Sequence, residues 1–218
     1  MTLLVVVHAE TSGQVLRNVE RALSAGADGV FLINHAIADD ALVAAYRAAR
    51  ARFADAWIGL SFMRLSATSS LGLVPADASG LWVSDAGTHE VAPQPPAVTG
   101  FADARAAAGW GGLYFGGVAF KHQRPVSDPA AAARAAAPFV DVVTTSGSAT
   151  GSAAPLDKVA SMKAAIGPHP LALASGVSAE NFELYRPHVD CVLAASSVSD
   201  SEAELSPTRL SELVAAMR

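Results

Sequence analysis

Cysteine is nearly absent from this 218-residue chain, in which Cys191 is the only one. A single cysteine excludes an internal disulfide framework and a zinc site built from several thiolates. Charged residues make up only 16% of the sequence while 51% is hydrophobic, so the composition is typical of a folded protein and not of a disordered chain. The net charge of −5 argues against a nucleic-acid-binding protein that depends on broad attraction to phosphates.

Long apolar runs are missing as well. No stretch reaches the roughly 18–20 apolar residues that a membrane-spanning helix needs. No basic segment or small-residue cleavage site precedes the apolar residues 3–7, so we expect no secretory signal, no membrane partner and a cytoplasmic location. The hydrophobicity comes largely from alanine, which predicts helices packed against a sheet.

Short apolar, β-branched runs alternate with alanine-rich amphipathic stretches along the whole chain. The runs predict strands that are buried on both faces of a parallel sheet, at residues 3–8, 29–33, 57–62, 80–84, 112–120, 140–145, 171–174 and 191–195. The stretches predict helices at residues 13–25, 39–53, 128–137, 155–166, 179–185 and 207–217. Helices are poorly marked between residues 64 and 109, where residues 91–96 form a proline-rich loop and His89 is expected to be solvated.

This alternation predicts an α/β protein with one domain over residues 1–218, a (β/α)8 TIM barrel. An open doubly wound sheet has the same alternation and is the alternative. One small signal recurs: Asp28, Asp141 and Asp190 each stand just before an apolar run, and Asp55 is a looser copy. An aspartate there can accept hydrogen bonds from backbone amides where a helix leads into a strand. We therefore expect these three aspartates at the amino-terminal rim of the barrel.

Polar residues concentrate where the predicted strands stop, which is the active-site face of a TIM barrel. Part of this pattern is expected of any strand end that meets solvent. The catalytic candidates are Lys121, Asp85, Glu10 and His8. The candidates for substrate binding are Asn34, Arg64, His122, Ser146, Gly147, Thr150, Ser175, Gly176, Ala195, Ser196 and Ser197.

The loops after the seventh and eighth strands predict a phosphate site. Gly176 opens a short turn before a helix, and small residues at 194–197 precede a second helix start. Small side chains and helix N-termini let backbone N–H groups approach an anion, so we expect the two N-termini to converge on one phosphate. The alternative is a pair of ordinary turns. The hydroxyl- and glycine-rich residues 145–152 predict a ligand-covering loop or, as the alternative, a flexible connector.

Lys121 is one of only three lysines, and we expect Lys158 and Lys163 on a helix surface. Lys121 ends a predicted strand, so its ammonium should lie in the barrel mouth within reach of Glu10 or Asp85. It would then hold an anionic group, act as a base or form a Schiff base; a structural ion pair is the alternative. His8, Glu10, Asp85 and His122 are a weak set of metal ligands because no His-x-His or helical HExxH spacing is present, so we predict no metal and no cofactor.

Three motifs in the second half of the chain resemble the BtpA family of TIM-barrel proteins. They are residues 120–122 (FKH), 142–151 (VVTTSGSATG) and 174–181 (ASGVSAEN), and the resemblance covers about residues 112–218. It implies a barrel of the ribulose-phosphate-binding kind; the family's activity is poorly defined, and some members are linked to photosystem I assembly. The short 8–12 connection and the alanines at 194 and 195 depart from the family pattern, which makes this chain a divergent relative.

The sequence predicts an enzyme that acts on a small phosphorylated metabolite, a ribose phosphate or a nucleotide-like compound. The expected reaction is an isomerisation, a lyase reaction or a group transfer. The alternatives are a non-catalytic assembly or regulatory protein and a Schiff-base aldolase or lyase that uses Lys121. The expected partner is the small phosphorylated ligand, with no nucleic acid; a homo-oligomer remains open.

Overall fold

The computed structural model describes residues 1–88, 90 and 96–218. His89 and residues 91–95 of the predicted proline-rich loop lie outside the described residues. Pro96, the last residue of that loop in the sequence prediction, instead begins a helix.

Eight parallel strands close into a barrel in the order of the sequence, so the (β/α)8 prediction is confirmed and the open sheet is wrong. The strands are β1 Thr2–His8, β2 Gly29–Ile33, β3 Trp57–Ser61, β4 Gly80–Val83, β5 Leu113–Gly117, β6 Val142–Ser146, β7 Leu171–Ala174 and β8 Cys191–Ala194. β1 pairs with both β2 and β8, which closes the cylinder.

A helix follows each strand. The helices are α1 Ser12–Ala25, α2 Asp39–Arg52, α3 Ala67–Leu71, α4 Pro96–Ala108, α5 Pro129–Ala136, α6 Leu156–Ile166, α7 Phe182–Tyr185 and α8 Pro207–Met217. The two helices that the sequence left unmarked, α3 and α4, complete the repeat. None of the described helices combines the length and the apolar character that a membrane crossing requires.

β5 is shorter than predicted and ends at Gly117. A side chain at Gly117 would collide with the backbone of Ser84, and Ala119 two residues later has a φ of 47° that ends the extended conformation. Residues 118–123 therefore form a loop, and Lys121 lies four residues beyond the strand instead of at its end.

The interior of the barrel is divided into a bulky side and a small-residue side. Aromatic rings pack edge to face across β2–β5, with ring centroids 5.0 Å apart for Phe31 and Trp57 and 5.1 Å for Phe31 and Phe115. The opposite wall, from β7 and β8, contributes Ala172, Ala174, Cys191 and Leu193. The rings fill the interior of the barrel on the side of β2–β5.

A reciprocal pair of hydrogen bonds recurs at the amino-terminal rim. Asp28 donates its N–H to the carbonyl of Leu3 at 3.0 Å and accepts the N–H of Leu3 with its carboxylate at 2.7 Å. Asp141 makes the same pair with Tyr114, and Asp190 makes it with Leu171. The predicted position of these aspartates is confirmed. Each stands directly before an even-numbered strand and bonds to the odd-numbered strand beside it.

The fourth even-numbered strand uses a serine that the sequence analysis missed. Ser79 stands directly before β4, donates its N–H to the carbonyl of Ile58 at 2.9 Å and accepts the Ile58 N–H with its hydroxyl at 3.1 Å. The reciprocal pair of hydrogen bonds therefore recurs once per two βα units.

Candidate active site at the carboxyl-terminal mouth of the barrel

The loop of residues 118–123 is held from three directions. The Gln123 side chain accepts the N–H of Phe120 at 2.9 Å and donates to the carbonyl of Ser84. The hydroxyl of Ser146 accepts the N–H of Lys121 at 2.8 Å. Ala119 and His122 have positive φ angles of 47° and 63°, a conformation that persists only when surrounding contacts impose it.

The Lys121 ammonium lies in the mouth and bonds to hydroxyls. Its Nζ is 3.2 Å from Thr150 Oγ1 and 3.0 Å from Ser175 Oγ, so residues of three loops meet at this group. The prediction that Glu10 or Asp85 pairs with the Lys121 ammonium is wrong. The Asp85 carboxylate instead accepts the N–H of Gly87 at 2.8 Å. Burial lowers the pKa of Lys121 from its usual value.

Lys158 is not the solvated helix lysine that the sequence predicts. Its Nζ reaches from the first turn of α6 to the carbonyl oxygens of Ala119 and Ser146, at 2.6 and 2.7 Å. Burial lowers the pKa of this amine to about 8. Lys163, the other lysine of α6, bonds to Asp190 at the opposite rim, at 2.7 Å.

The two predicted binding glycines lie where two loops pack closely together. A side chain at Gly176 would collide with the backbone of Ser152 and Ala153, and one at Gly147 would also meet Ser152. Gly176 has a φ of 72° and follows Ser175, whose φ is 85°. The missing side chain at position 176 therefore lets the loop after β6 cross the loop after β7.

The helix start predicted after Ser196 is a short 3-10 turn and not the beginning of α8. A three-residue 3-10 turn, Ser196–Val198, follows β8, and α8 begins only at Pro207. α7 begins at Phe182, six residues after Gly176, and is four residues long. The two predicted helix starts are therefore a four-residue helix and a three-residue 3-10 turn.

Two histidines stack at the end of β1. The rings of His8 and His35 are 4.7 Å apart with an interplanar angle of 16°. Burial is the main cause that lowers the pKa of His8, and the neighbouring His35 lowers it further. Burial also lowers the pKa of His35. Both imidazoles are therefore largely neutral at pH 7, the form that accepts a proton.

A cavity of about 460 Å³ opens between these groups. The predicted site residues that line it are His8, Asp85, Lys121, His122, Thr150, Ser175, Ala195 and Ser196. Its apolar wall includes Trp82, Phe120 and Leu193. A second cavity of about 460 Å³ adjoins it and shares His8, Thr150, Ala195 and Ser196.

The other predicted site residues do not line the main cavity. Glu10 lies beyond the end of β1 and is exposed. Asn34 is fully buried and joins two loops, because it donates to Asp39 at 2.6 Å and accepts the N–H of Met63 at 3.0 Å. Arg64 donates to the carbonyl of Ile37.

Four further candidates, Ser146, Gly147, Gly176 and Ser197, also do not line the main cavity. Ser146 and Gly147 are buried behind it, and Ser197 lies beside it on the 3-10 turn.

Several residues of the mouth were missed by the sequence analysis. Gln123 and Trp82 line the cavity, and Lys158 supports the loop of residues 118–123. Gln123 stood next to a chosen candidate, so proximity to a strand end was an available signal. His35, which directly follows the candidate Asn34, also lines the cavity. The scarcity of lysine was the only signal for Lys158. In the part of the chain that the structure describes, no three His, Cys, Asp or Glu side chains are placed to hold a metal ion.

Comparisons with known proteins show the fold. No protein-family model and no curated protein matches the chain, so the BtpA resemblance gains no support there. Phosphoribosyl anthranilate isomerase from Thermus thermophilus is 18% identical with a TM-score of 0.70, over 100% of this chain and 98% of that one.

Two further solved structures share the architecture. (S)-3-O-geranylgeranylglyceryl phosphate synthase from Thermoplasma acidophilum, solved with sn-glycerol-1-phosphate, is 15% identical with a TM-score of 0.68, over 99% of this chain and 92% of that one. Thiamine phosphate pyrophosphorylase from Pyrococcus furiosus is 15% identical with a TM-score of 0.67, over 99% and 95%. At these identities the similarity establishes that this chain has the TIM-barrel fold of enzymes named for phosphorylated compounds.

Proposed function

We propose that this protein is an enzyme that acts on a small phosphorylated metabolite, with the phosphate bound at Lys121. The observation that carries the proposal is the hydrogen bonding of the Lys121 ammonium to the hydroxyls of Thr150 and Ser175. An ammonium can only donate, so each hydroxyl accepts with its oxygen and keeps its own proton to donate. The ammonium keeps one further proton. Three donors therefore converge on one place in the mouth, which suits the acceptor oxygens of a phosphate.

The charge around this place also favours an anion. Within the described ranges, the ammonium groups of Lys121 and Lys158 donate only to hydroxyl and carbonyl oxygens, and not to a carboxylate. A half-buried positive charge without a counter-charge is costly, and a bound phosphate would compensate it. Ser196 lies on the same wall, since its hydroxyl is 3.5 Å from the place a side chain would take at Gly151. We assign it to the same phosphate.

Proton transfer is assigned to the histidine pair. The lowered pKa of His8 keeps a neutral imidazole at the cavity wall, which is suited to take a proton from a bound substrate near pH 7. Asp85 and His122 line the same cavity and are proposed as further polar contacts. Such a set serves an isomerisation or a lyase reaction of a sugar phosphate. The names of the structural neighbours and the motifs resembling the BtpA family support this class of substrate, and we place the chain as a divergent relative of that family.

Calorimetry with pairs of ligands tests the proposal. D-Ribose 5-phosphate and sn-glycerol 1-phosphate should bind, while D-ribose and glycerol should bind at least about tenfold more weakly, a difference of ~1.4 kcal/mol. Equal affinity for the phosphorylated and unphosphorylated member of each pair would refute a phosphate site.

The variant Lys121→Met separates binding from folding. It should weaken D-ribose 5-phosphate binding about tenfold to a hundredfold, because a charge-assisted bond is lost, while the melting temperature stays nearly unchanged. Ser196→Asp should weaken the same binding by placing a carboxylate in the mouth. It is a cleaner test than Gly176→Asp, which would collide with the backbone of Ser152 and Ala153. The control is Lys163→Met, which changes a lysine at the opposite rim.

A Schiff-base lyase is the second candidate, favoured by the lowered pKa of Lys121 and its lack of a carboxylate partner among its hydrogen bonds. The amine would condense with a substrate carbonyl and release water to give an imine. Borohydride reduces that imine to a stable secondary amine. Mass spectrometry after incubation with glyceraldehyde 3-phosphate and borohydride should then find the adduct on Lys121 in the wild type and not in Lys121→Met. Absence of the adduct, with binding retained, would leave the non-covalent role.

A further inference from the structure

Lys158 and Lys121 are joined through one residue, Ser146. The Ser146 carbonyl accepts from the Lys158 ammonium at 2.7 Å, and the Ser146 hydroxyl accepts the backbone N–H of Lys121 at 2.8 Å. The second bond of Lys158, at 2.6 Å, goes to the carbonyl of Ala119, two residues before Lys121. The ammonium of Lys158 therefore bonds to the chain two residues before Lys121 and to the residue whose hydroxyl accepts the Lys121 N–H.

We infer that Lys158 is a positioning residue that fixes the loop of residues 118–123, so that the Lys121 ammonium points into the mouth. The inference rests on the proposed function, because it assigns Lys158 a role in the same anion site. It requires no contact between Lys158 and the substrate. Lys158 acts through the Ala119 and Ser146 carbonyls and through the Ser146 hydroxyl.

The choice of lysine at this position argues against a role in stability alone. A half-buried ammonium without a carboxylate partner reduces stability, and an apolar side chain at position 158 would avoid this loss of free energy. The bond that an ammonium supplies here is to the carbonyl of Ala119, a non-glycine residue held at a φ of 47°. Strain of this kind is maintained by the contacts around it. The half-buried ammonium of Lys158 and the strained backbone of Ala119 therefore both reduce stability, and both determine the position of Lys121.

The experiment uses the full chain with three variants. Lys158→Met removes the charge and both bonds, Lys158→Arg keeps the charge and the donors, and Lys163→Met changes a lysine five positions later on the same helix. Amide hydrogen exchange of residues 117–124, the melting temperature and the calorimetric affinity for D-ribose 5-phosphate are measured for each.

The expected result is a local loss. Lys158→Met should expose the Lys121 N–H, so that exchange across residues 117–124 rises about tenfold or more, and affinity for D-ribose 5-phosphate should fall about tenfold. Lys158→Arg should recover part of both. Lys163→Met should change neither, whatever its effect on the melting temperature. Wild-type exchange and affinity in Lys158→Met would overturn the inference.

The exchange measurement separates this inference from the proposed function. If the wild type binds no phosphorylated ligand but Lys158→Met loosens residues 117–124, the proposed function fails while the positioning role stands. If the wild type binds and Lys158→Met binds equally well, the proposed function stands and the positioning role fails. If Lys158→Met does not fold, Lys158→Arg decides: faster exchange in residues 117–124 with weaker binding supports the role, and unchanged binding despite faster exchange overturns it.

Discussion

The two rims of the barrel are built in opposite ways. At the amino-terminal rim one device repeats four times, because the residue directly before each even-numbered strand forms a reciprocal pair of hydrogen bonds with the neighbouring strand. The loops at the carboxyl-terminal rim vary, since three residues join β1 to α1 and eleven join β5 to α5. The three non-glycine residues of positive φ in the described ranges, Ala119, His122 and Ser175, are all found in these loops.

This difference separates stability from function in the same molecule. The repeated pair of hydrogen bonds satisfies backbone groups at the starts of the strands, so it contributes to folding whatever the protein binds. Unrepeated, strained loops cost stability and are kept only where their shape matters. Changes at the amino-terminal rim should therefore alter stability without altering binding, and changes at the mouth should alter binding.

The largest effect is expected for Asp141→Ala. The carboxylate of Asp141 accepts from the Tyr114 N–H at 2.7 Å and from the Arg105 guanidinium at 2.8 Å, so the variant leaves both donors without this partner. The free energy of unfolding should fall by about 2–3 kcal/mol in urea denaturation. Affinity for D-ribose 5-phosphate should not change. A loss of affinity in the folded variant would show that the rims are coupled.

A smaller effect is expected where serine replaces aspartate at the same rim. Ser79 already fills this role at β4, so Asp28→Ser should keep a hydrogen bond to Leu3 that Asp28→Ala loses. We expect a loss of about 1–2 kcal/mol for the alanine variant and roughly half of that for the serine variant. Equal losses in urea denaturation would mean that the charge, and not the acceptor oxygen, is what the rim requires.

Ser175→Gly should change stability and binding in opposite directions. Glycine relieves the φ of 85° and should raise the free energy of unfolding by about 1 kcal/mol. The same change removes a hydroxyl from Lys121, so affinity for D-ribose 5-phosphate should fall several-fold. Ser175→Ala is the matched control: it loses the hydroxyl but keeps the strain, so only binding should weaken. A stabilised glycine variant that binds normally would remove Ser175 from the site.

The smallest effect is a pH dependence at Lys158. Its pKa is about 8 in the folded protein and 10.5 for a free lysine side chain, so between these values the unfolded chain binds the additional proton. The contribution of Lys158 to stability therefore rises with pH from about 8 to 10.5. Because the side chain is only half-buried, solvent screening keeps the change below about 1 kcal/mol. Urea denaturation of the wild type and Lys158→Met at both ends of this window should show the difference; a constant difference would contradict the lowered pKa.

The sequence and the structure agree best where the signal is local. β2 and β7 were predicted with the observed bounds, because each is an uninterrupted apolar run between turn residues. The aspartates of the amino-terminal rim were found for the same reason. The prediction of β5 ran three residues too far, since Val118 and Phe120 continue the apolar pattern while Ala119 turns the chain.

The sequence by itself therefore determined the barrel, the amino-terminal rim and the list of polar residues at the mouth, since apolar periodicity and turn residues act over a few neighbours. Only the tertiary structure decided which of those residues meet. Lys121 contacts Thr150 and Ser175, 29 and 54 positions away, and the Lys158 ammonium bonds to Ala119, 39 positions away. At Gly176 the loop from β6 passes so closely that a side chain would collide with the backbone of Ser152 and Ala153. Such contacts exist only once the cylinder has closed and brought the loops of separate strands to one face, and no local pattern specifies which loop residues then meet.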